Sequence, residues 1–369
     1  MSSASNIRIG FVGTGWSDRV QIPVFQKAGL IPQAICSGQL ANAQRVAQKH
    51  GIPEVYATWQ ELIQSPNVDV VSVCSPPATH TEITVAALAA GKHIICEKPT
   101  ALNVGEAEAM LAAAQAAPNR LAIIDHELRF DPARIKLRQL VKDGFVGTPL
   151  QIHLDRLGSE RLNAKVPWNW LSDVEQGGGM MGALGSHLFD EARWIIGRVE
   201  ALTAQLQTGH SFRNEAGSNR QLRVTADDYA HLLLRFVNGV QGQITCSAIS
   251  PGGYGMTIRI TGTEGALLLD NQDRLWGMKG SKFPGNDWEE IDNERDAAVM
   301  TQLAAINPAA PMVSPFTVGS YYLGKALAAA LQQGDTNFVE AASLYDGLVV
   351  QRSIDAARRS ANEQSWVNL

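Results

Sequence analysis

From residue 7 to about residue 127 the chain alternates short β-branched runs with alanine-rich stretches, and few folds accommodate that pattern. Arg8 to Gly13, Gln33 to Cys36, Val68 to Cys74, His93 to Cys96 and Leu121 to Ile124 have strand length and continuous apolar character. Such runs fit strands buried on both faces. Between them, residues 41–49, 82–90 and 105–117 are rich in helix formers, and Gly91 stops the second of these stretches. Strand–helix alternation predicts a parallel sheet with helices on both faces.

The pattern changes near residue 127. Residues 132–143 and 186–196 still read as helices. The segments 148–157, 200–207, 221–236, 240–249, 256–262 and 265–270 instead have strand length and many β-branched residues. Asn238-Gly239 and Gly262-Thr-Glu-Gly265 supply turns, so successive strands here pair antiparallel. The stretch 279–315 reads as an irregular excursion, and 317–333 and 337–360 read as helices.

The first strand runs into Gly13-Thr14-Gly15-Trp16, the start of a dinucleotide-binding turn. The first glycine permits the tight turn, and the second lets backbone N–H groups approach a pyrophosphate at a helix N-terminus. The fingerprint's third small residue is replaced by Asp18, which must point away from a phosphate or pair with Arg19. A strand binding the ribose of NAD would end in a carboxylate, yet none occurs between Asp18 and Glu54. Ser37-Gly38 stands there instead, which favours NADP(H) over NAD(H). No arginine follows Ser37 directly, and Arg45 sits on the next helix.

Thirty-one basic against 36 acidic residues give a net charge of -5, without the basic surplus of a nucleic-acid binder. No run approaches the roughly 18 apolar residues of a membrane span. No export signal precedes Ile7, so a cytoplasmic location is expected. Cys36, Cys74, Cys96 and Cys246 form no C-x-x-C pair and read as buried fillers. There is no phosphate-loop, H-E-x-x-H or G-x-S-x-G motif, and the histidines are too scattered to argue for a metal.

The most specific segment reads Ser75-Pro76-Pro77-Ala-Thr79-His80, a helix, then Ala90-Gly91-Lys92-His93 and Glu97-Lys98-Pro99. With these motifs the chain resembles the glucose–fructose oxidoreductase/inositol dehydrogenase/MocA (Gfo/Idh/MocA) family of NAD(P)-dependent oxidoreductases over essentially its whole length. The resemblance implies an α/β chain of two domains. Residues 1–126 would form a Rossmann dinucleotide-binding domain. Residues 127–369 would form an α+β domain on a large open, mostly antiparallel sheet, with C-terminal helices able to pack back on the first domain. Gly13, Thr14, Gly15, Trp16, Ser37, Gly38, Ser75, Pro76, His80, Glu97 and Lys98 would then line the cofactor. Lys98 would polarise the reacting substrate oxygen.

The second family motif, a glycine run followed by Asp, Gly-His and Asp, appears as Gly177-Gly178-Gly179, Ala183, His187 and Asp190. His187 is the expected proton shuttle. Ala183 replaces the first Asp, so the carboxylate four residues before His187 is missing, and Asp125 or Glu127 beside His126 are candidates to substitute. Asp190 reads as a structural partner of Arg193 or a substrate contact. Arg129-Phe130-Asp131-Pro132 resembles the family's entry to the second domain, where Arg129 braces the hinge or orients substrate. Trp168 reads equally as a wall beside the cofactor or a loop anchor.

The implied activity is hydride transfer between NADP(H) and an alcohol or ketone carbon of a sugar, polyol or related small hydroxy compound. The rival reading is a non-catalytic NAD(P)- or sugar-binding regulator, which the loss of Asp at 183 keeps open. The family implies a homodimer or homotetramer through the C-terminal sheet.

Overall fold

The computed structural model describes residues 7–280, 287–310, 312–336 and 338–369. The chain forms two compact units. The first comprises residues 1–131 and 296–348, the second residues 132–295 and 349–369.

The first unit alternates β1 (Arg8–Val12), α1 (Ile22–Ala28), β2 (Ile31–Cys36), α2 (Leu40–His50), β3 (Glu54–Tyr56), α3 (Trp59–Gln64), β4 (Val70–Val73), α4 (His80–Ala89), β5 (His93–Cys96), α5 (Val104–Ala116) and β6 (Ala122–Ile124). The strands lie side by side in the order β3-β2-β1-β4-β5-β6 and are all parallel. All four residues of β4 are buried, as a strand covered on both faces requires. After β3 the chain returns past β1 to lay down β4 on its other side. Beyond the carboxyl ends of β1 and β4 this reversal opens the crevice where such sheets bind ligands. β3 and α3 went unread in the sequence because each is short. A Thr58–Glu61 capping box starts α3.

The second unit begins with α6 (Pro132–Lys142), β7 (Pro149–Leu157), α7 (Ser186–Ile196) and β8 (Val199–Gln207). β9 (Phe212–Asn214), β10 (Gln221–Arg223), β11 (Tyr229–Phe236), β12 (Gln241–Ser247), β13 (Gly255–Gly262), β14 (Gly265–Leu269), β15 (Leu275–Lys279) and β16 (Glu289–Ile291) follow. α8 (Ala297–Ala304), α9 (Pro315–Gln332) and β17 (Ala342–Ser343) fold with the first unit, where β17 pairs with β6. α10 (Leu344–Glu363) gives most of its length to the second unit, which β18 (Val367–Asn368) closes against β8.

The large sheet runs β16-β15-β14-β13-β7-β12-β11-β8-β18, and only the β7–β12 pairing among its ladders is parallel. One face carries Ile152, Leu154, Leu202, Ile244, Ile258 and Leu267 into a core with Leu188 and Phe189 of α7 and Ile354 of α10. The other face carries Thr203, Leu233, Gln243, His153 and Arg259 in one row across five strands. Asn238-Gly239 turns the β11–β12 hairpin, with Gly239 at φ +87°.

Three sequence expectations change here. The strand expected over 221–236 is two strands, because Asp227 and Asp228 leave the ladder to serve other backbone N–H groups. The helix expected from 337 begins at Leu344, because Ala342 and Ser343 join the sheet edge; residue 337 lies outside the described residues. Within 279–315, β16 and α8 replace the irregular stretch, α8 being capped by Asp296. No helix among the described residues is long and apolar enough to cross a membrane.

Candidate functional site

β1 delivers the chain to Gly13, whose φ is +111° and whose N–H donates to the Cys36 carbonyl at 2.9 Å. A Cβ there would lie 2.5 Å from the carbonyl oxygen of Cys74, so only glycine fits. A Cβ on Gly15 or Gly38 would meet no atom within 4 Å, which leaves the space over the turn open. The helix starts at Trp16, runs through one π turn (Ser17–Gln21) and continues as α1. Ser17 donates to the Gly13 carbonyl at 2.6 Å, and the Thr14 and Ser37 hydroxyls lie 3.3 Å apart. An open glycine turn at a helix N-terminus beside a carboxylate-free strand end fits a dinucleotide.

Asp18 does not oppose this. It accepts from Lys49 at 2.7 Å and Arg45 at 3.2 Å, and lies 2.8 Å from His50 Nε2. Burial alone would raise its pKa, but these three partners outweigh it and hold the carboxyl down to about 2. Arg19, the partner considered from sequence, folds back on the Gly15 carbonyl at 3.3 Å instead. α2 ends in cations, and these reach Asp18.

Ser75 and Pro76 follow β4 at the same sheet edge, and Ser75 accepts from Thr79 at 2.6 Å. His80 is fully buried, with Nε2 2.8 Å from the Ser75 carbonyl and Nδ1 3.0 Å from the Pro99 carbonyl. It ties the loop after β4 to the loop after β5, and burial lowers its pKa. Lys98 lies at the carboxyl end of β5, partly buried, and the Lys98–Pro99 peptide is cis.

Beneath Lys98 lies a buried polar cluster that the sequence only hinted at. Gln21 Nε2 donates to Glu97 Oε1 at 2.9 Å and to Asp125 Oδ2 at 2.7 Å. Gln21 Oε1 accepts from Ser72 at 2.6 Å and Cys74 at 2.7 Å. Burial pushes Glu97, Asp125 and Glu127 above the usual carboxylate range; for Glu97 and Glu127 the neighbouring carboxylates push further. His126 is buried, and Arg129 pairs with Asp346 at 3.3 Å within the same unit, which is a bracing contact.

In the second unit the glycine run is shaped by close approach. A Cβ on Gly178 would collide with the Trp170 carbonyl, and one on Gly179, at φ +108°, with the Asp227 carboxylate. Asp227 accepts the Met181 N–H at 2.8 Å. Burial raises its pKa to about 6, against the pull of that bond and of Arg358. A π turn (Met181–Gly185) holding Ala183 then leads into α7, where His187 and Asp190 are each 1% exposed. Ala183 is partly buried against the core.

Trp168 is partly buried and anchored, its indole N–H donating to the Arg223 carbonyl at 3.0 Å. Arg213, fully buried, donates to the carbonyls of Arg161, Asn163 and Val166, while Arg161 binds Asp228 and Ser172. Gln21, Asp227 and Arg213 escaped the sequence reading. Each is an isolated polar residue whose importance comes from burial, which no local pattern marks. Among the described residues no group of three or more His, Cys, Asp or Glu side chains is placed to hold a metal ion.

Residues 7–124 match the profile of the oxidoreductase family with an NAD-binding Rossmann fold, and residues 135–268 match the GFO/IDH/MocA C-terminal domain. An uncharacterised oxidoreductase of Synechocystis sp. is 34% identical over 79% of this chain and 80% of its own length. The chain belongs to the Gfo/Idh/MocA oxidoreductase family. Human glucose-fructose oxidoreductase domain-containing protein 2 is 28% identical over 97% of this Gfo/Idh/MocA chain and 92% of its own. An oxidoreductase domain protein from Kribbella flavida superposes with a TM-score of 0.85 at 26% identity, covering 98% and 99% of the two chains. Levoglucosan dehydrogenase, in complex with NADH and levoglucosan, shares the fold with a TM-score of 0.86 at 23% identity, covering 99% of each chain.

Proposed function

We propose that this oxidoreductase transfers hydride between a nicotinamide dinucleotide, preferably NADP(H), and a CH–OH or carbonyl carbon of a sugar, polyol or related small hydroxy compound. The observation that carries the reading is Lys98 at the carboxyl end of β5, on the same sheet edge as the open Gly13–Gly15 turn. Gly13, Thr14, Gly15 and Trp16 would hold the pyrophosphate, Ser37 and Gly38 the adenosine ribose, and Ser75, Pro76 and Glu97 the remaining edge. Levoglucosan dehydrogenase, bound to NADH and levoglucosan, lends the sugar assignment support by fold alone.

When bound, the nicotinamide supplies the hydride acceptor or donor. Lys98 orients the substrate oxygen and carries positive charge towards the developing alkoxide. His187 is assigned the second proton-handling role, without the usual carboxylate at 183. The outer row of the large sheet, in which Leu233 is 43% exposed, is the surface assigned to a second copy.

A fluorescence titration with NADPH and with NADH tests the cofactor. Tenfold tighter NADPH binding, about 1.4 kcal/mol, supports the Ser37-Gly38 reading. Equal or tighter NADH binding removes it. Lys98→Ala is expected to lower turnover by roughly 10²–10⁴-fold while dinucleotide binding persists. A regulator, the reading Ala183 favours, binds the dinucleotide and turns over nothing in the unsubstituted protein.

A further inference from the structure

We propose that Glu97 and Asp125 form a carboxyl pair that holds one proton and one negative charge, is oriented by Gln21, and exchanges the substrate's hydroxyl proton through Lys98. The inference rests on the hydride-transfer reading above and adds where the proton goes.

The amide nitrogen of Gln21 donates to Glu97 Oε1 at 2.9 Å and to Asp125 Oδ2 at 2.7 Å, so two buried carboxyls converge on one nitrogen. Like charges that close, away from water, favour a proton on one of the two. Gln21 settles the arrangement around them. Its carbonyl oxygen faces two donors, the Ser72 hydroxyl and the Cys74 thiol. Its NH₂ group must therefore face the two carboxyls, one N–H to each. Gln21, Ser72 and Asp125 are all 0% exposed and Glu97 is 6% exposed, so water does not dilute the geometry.

Charge balance gives the same answer. The cluster holds three carboxyls, Glu97, Asp125 and Glu127, and the charge of Lys98 acts on all three. His80 is held towards its neutral form by burial, and Cys74 and Cys96 are thiols. One cation cannot offset three buried carboxylates. Burial and the neighbouring carboxylates favour the protonated form of Glu127, and the Glu97–Asp125 pair keeps a single negative charge opposite Lys98.

The proton accounting then closes. In the oxidative direction a bound nicotinamide would supply a cationic hydride acceptor, neutral once reduced. The hydroxyl proton passes to Lys98 as Lys98 gives one of its own to the pair. Lys98 begins and ends as an ammonium, and the pair goes from one negative charge to none. A positive and a negative charge vanish together, so the buried site is never left with an uncompensated ion. Reduction runs the same transfers backwards. Glu97 and Asp125 are the proton store, and Gln21 is a positioning residue.

Infrared spectroscopy of the cofactor-free protein tests the pair without turnover. From about pH 5 to about pH 8, where ordinary carboxyls are ionised, a protonated-carboxyl stretch is expected to persist. Asp125→Asn and Glu97→Gln should each remove one carboxyl's intensity, and Glu127 should retain its own. If neither substitution changes the band, or the unsubstituted protein has none, the pair is overturned. In single turnovers Asp125→Asn should slow hydride transfer roughly 10²-fold and make its rate climb with pH, and Asp125→Glu should recover part of the loss. An unchanged pH profile at normal cofactor affinity overturns the proton-store role. Turnover without the band removes the pair and leaves the oxidoreductase reading standing. The band with no turnover on any hydroxy compound removes the oxidoreductase reading, and the proton-store role with it.

Discussion

Asp18 and Asp227 couple folding to pH with opposite signs. Asp18 is held at about 2, below its ordinary 3.8, so its contribution is present above pH 4 and lost as the pH falls towards 2. Lys49 and Arg45 are half-exposed, which trims that contribution to about 1 kcal/mol. Asp18→Asn should lower the urea midpoint at neutral pH and match the unsubstituted protein near pH 2. Asp227 is held at about 6, so its contribution is present below pH 4 and lost as the pH rises towards 6. Asp227→Asn, which can still accept from Met181, should flatten that part of the stability profile; an unaltered slope would remove the assignment. At this scale the sequence was legible where a residue type sits in a motif, as with the glycine that the turn at 13 requires. It was silent where the decisive fact is a long-range partner. Nothing around Asp18 announces Lys49, and nothing around Gln21 announces Asp125.

At the scale of elements, the glycine turn separates two uses of the same residue type. Gly13→Ala puts a methyl group against the Cys74 carbonyl at a strained φ, and should cost about 1–3 kcal/mol of stability. Gly15→Ala points into open space, and should leave the melting temperature unchanged while weakening dinucleotide binding by about tenfold. Equal thermal losses in the two variants would contradict this division. Strands with largely apolar runs, such as β4 and β5, were readable because burial on both faces leaves few polar positions, Ser72 being the one in β4. The β11–β12 hairpin was readable from Asn238-Gly239. The break between β10 and β11 was marked only by Asp227-Asp228, a pair that strands disfavour, whose carboxylates serve groups elsewhere in the chain.

At the scale of the molecule, the outer row Thr203, Leu233, Gln243, His153 and Arg259 is a flat, mixed surface whose one large exposed apolar side chain is Leu233. Leu233→Glu should shift the mass measured by light scattering towards the monomer, with the far-ultraviolet spectrum unchanged. A mass unaffected by the substitution would remove the proposed interface. The first unit, meanwhile, is not continuous in the chain. Val318, Leu323 and Leu327 of α9 share a core with Ile22, Val24 and Phe25 of α1. The two helices approach so closely that a Cβ on Gly324 would lie 2.9 Å from both Phe25 and Ala28. A ribosome delivers α1 well before α9. Through the interval the side of α1 that α9 covers stands bare on the nascent chain. The core behind the glycine turn is therefore begun long before it is sealed, and a message cut short before α9 yields a turn of the right sequence on an open core.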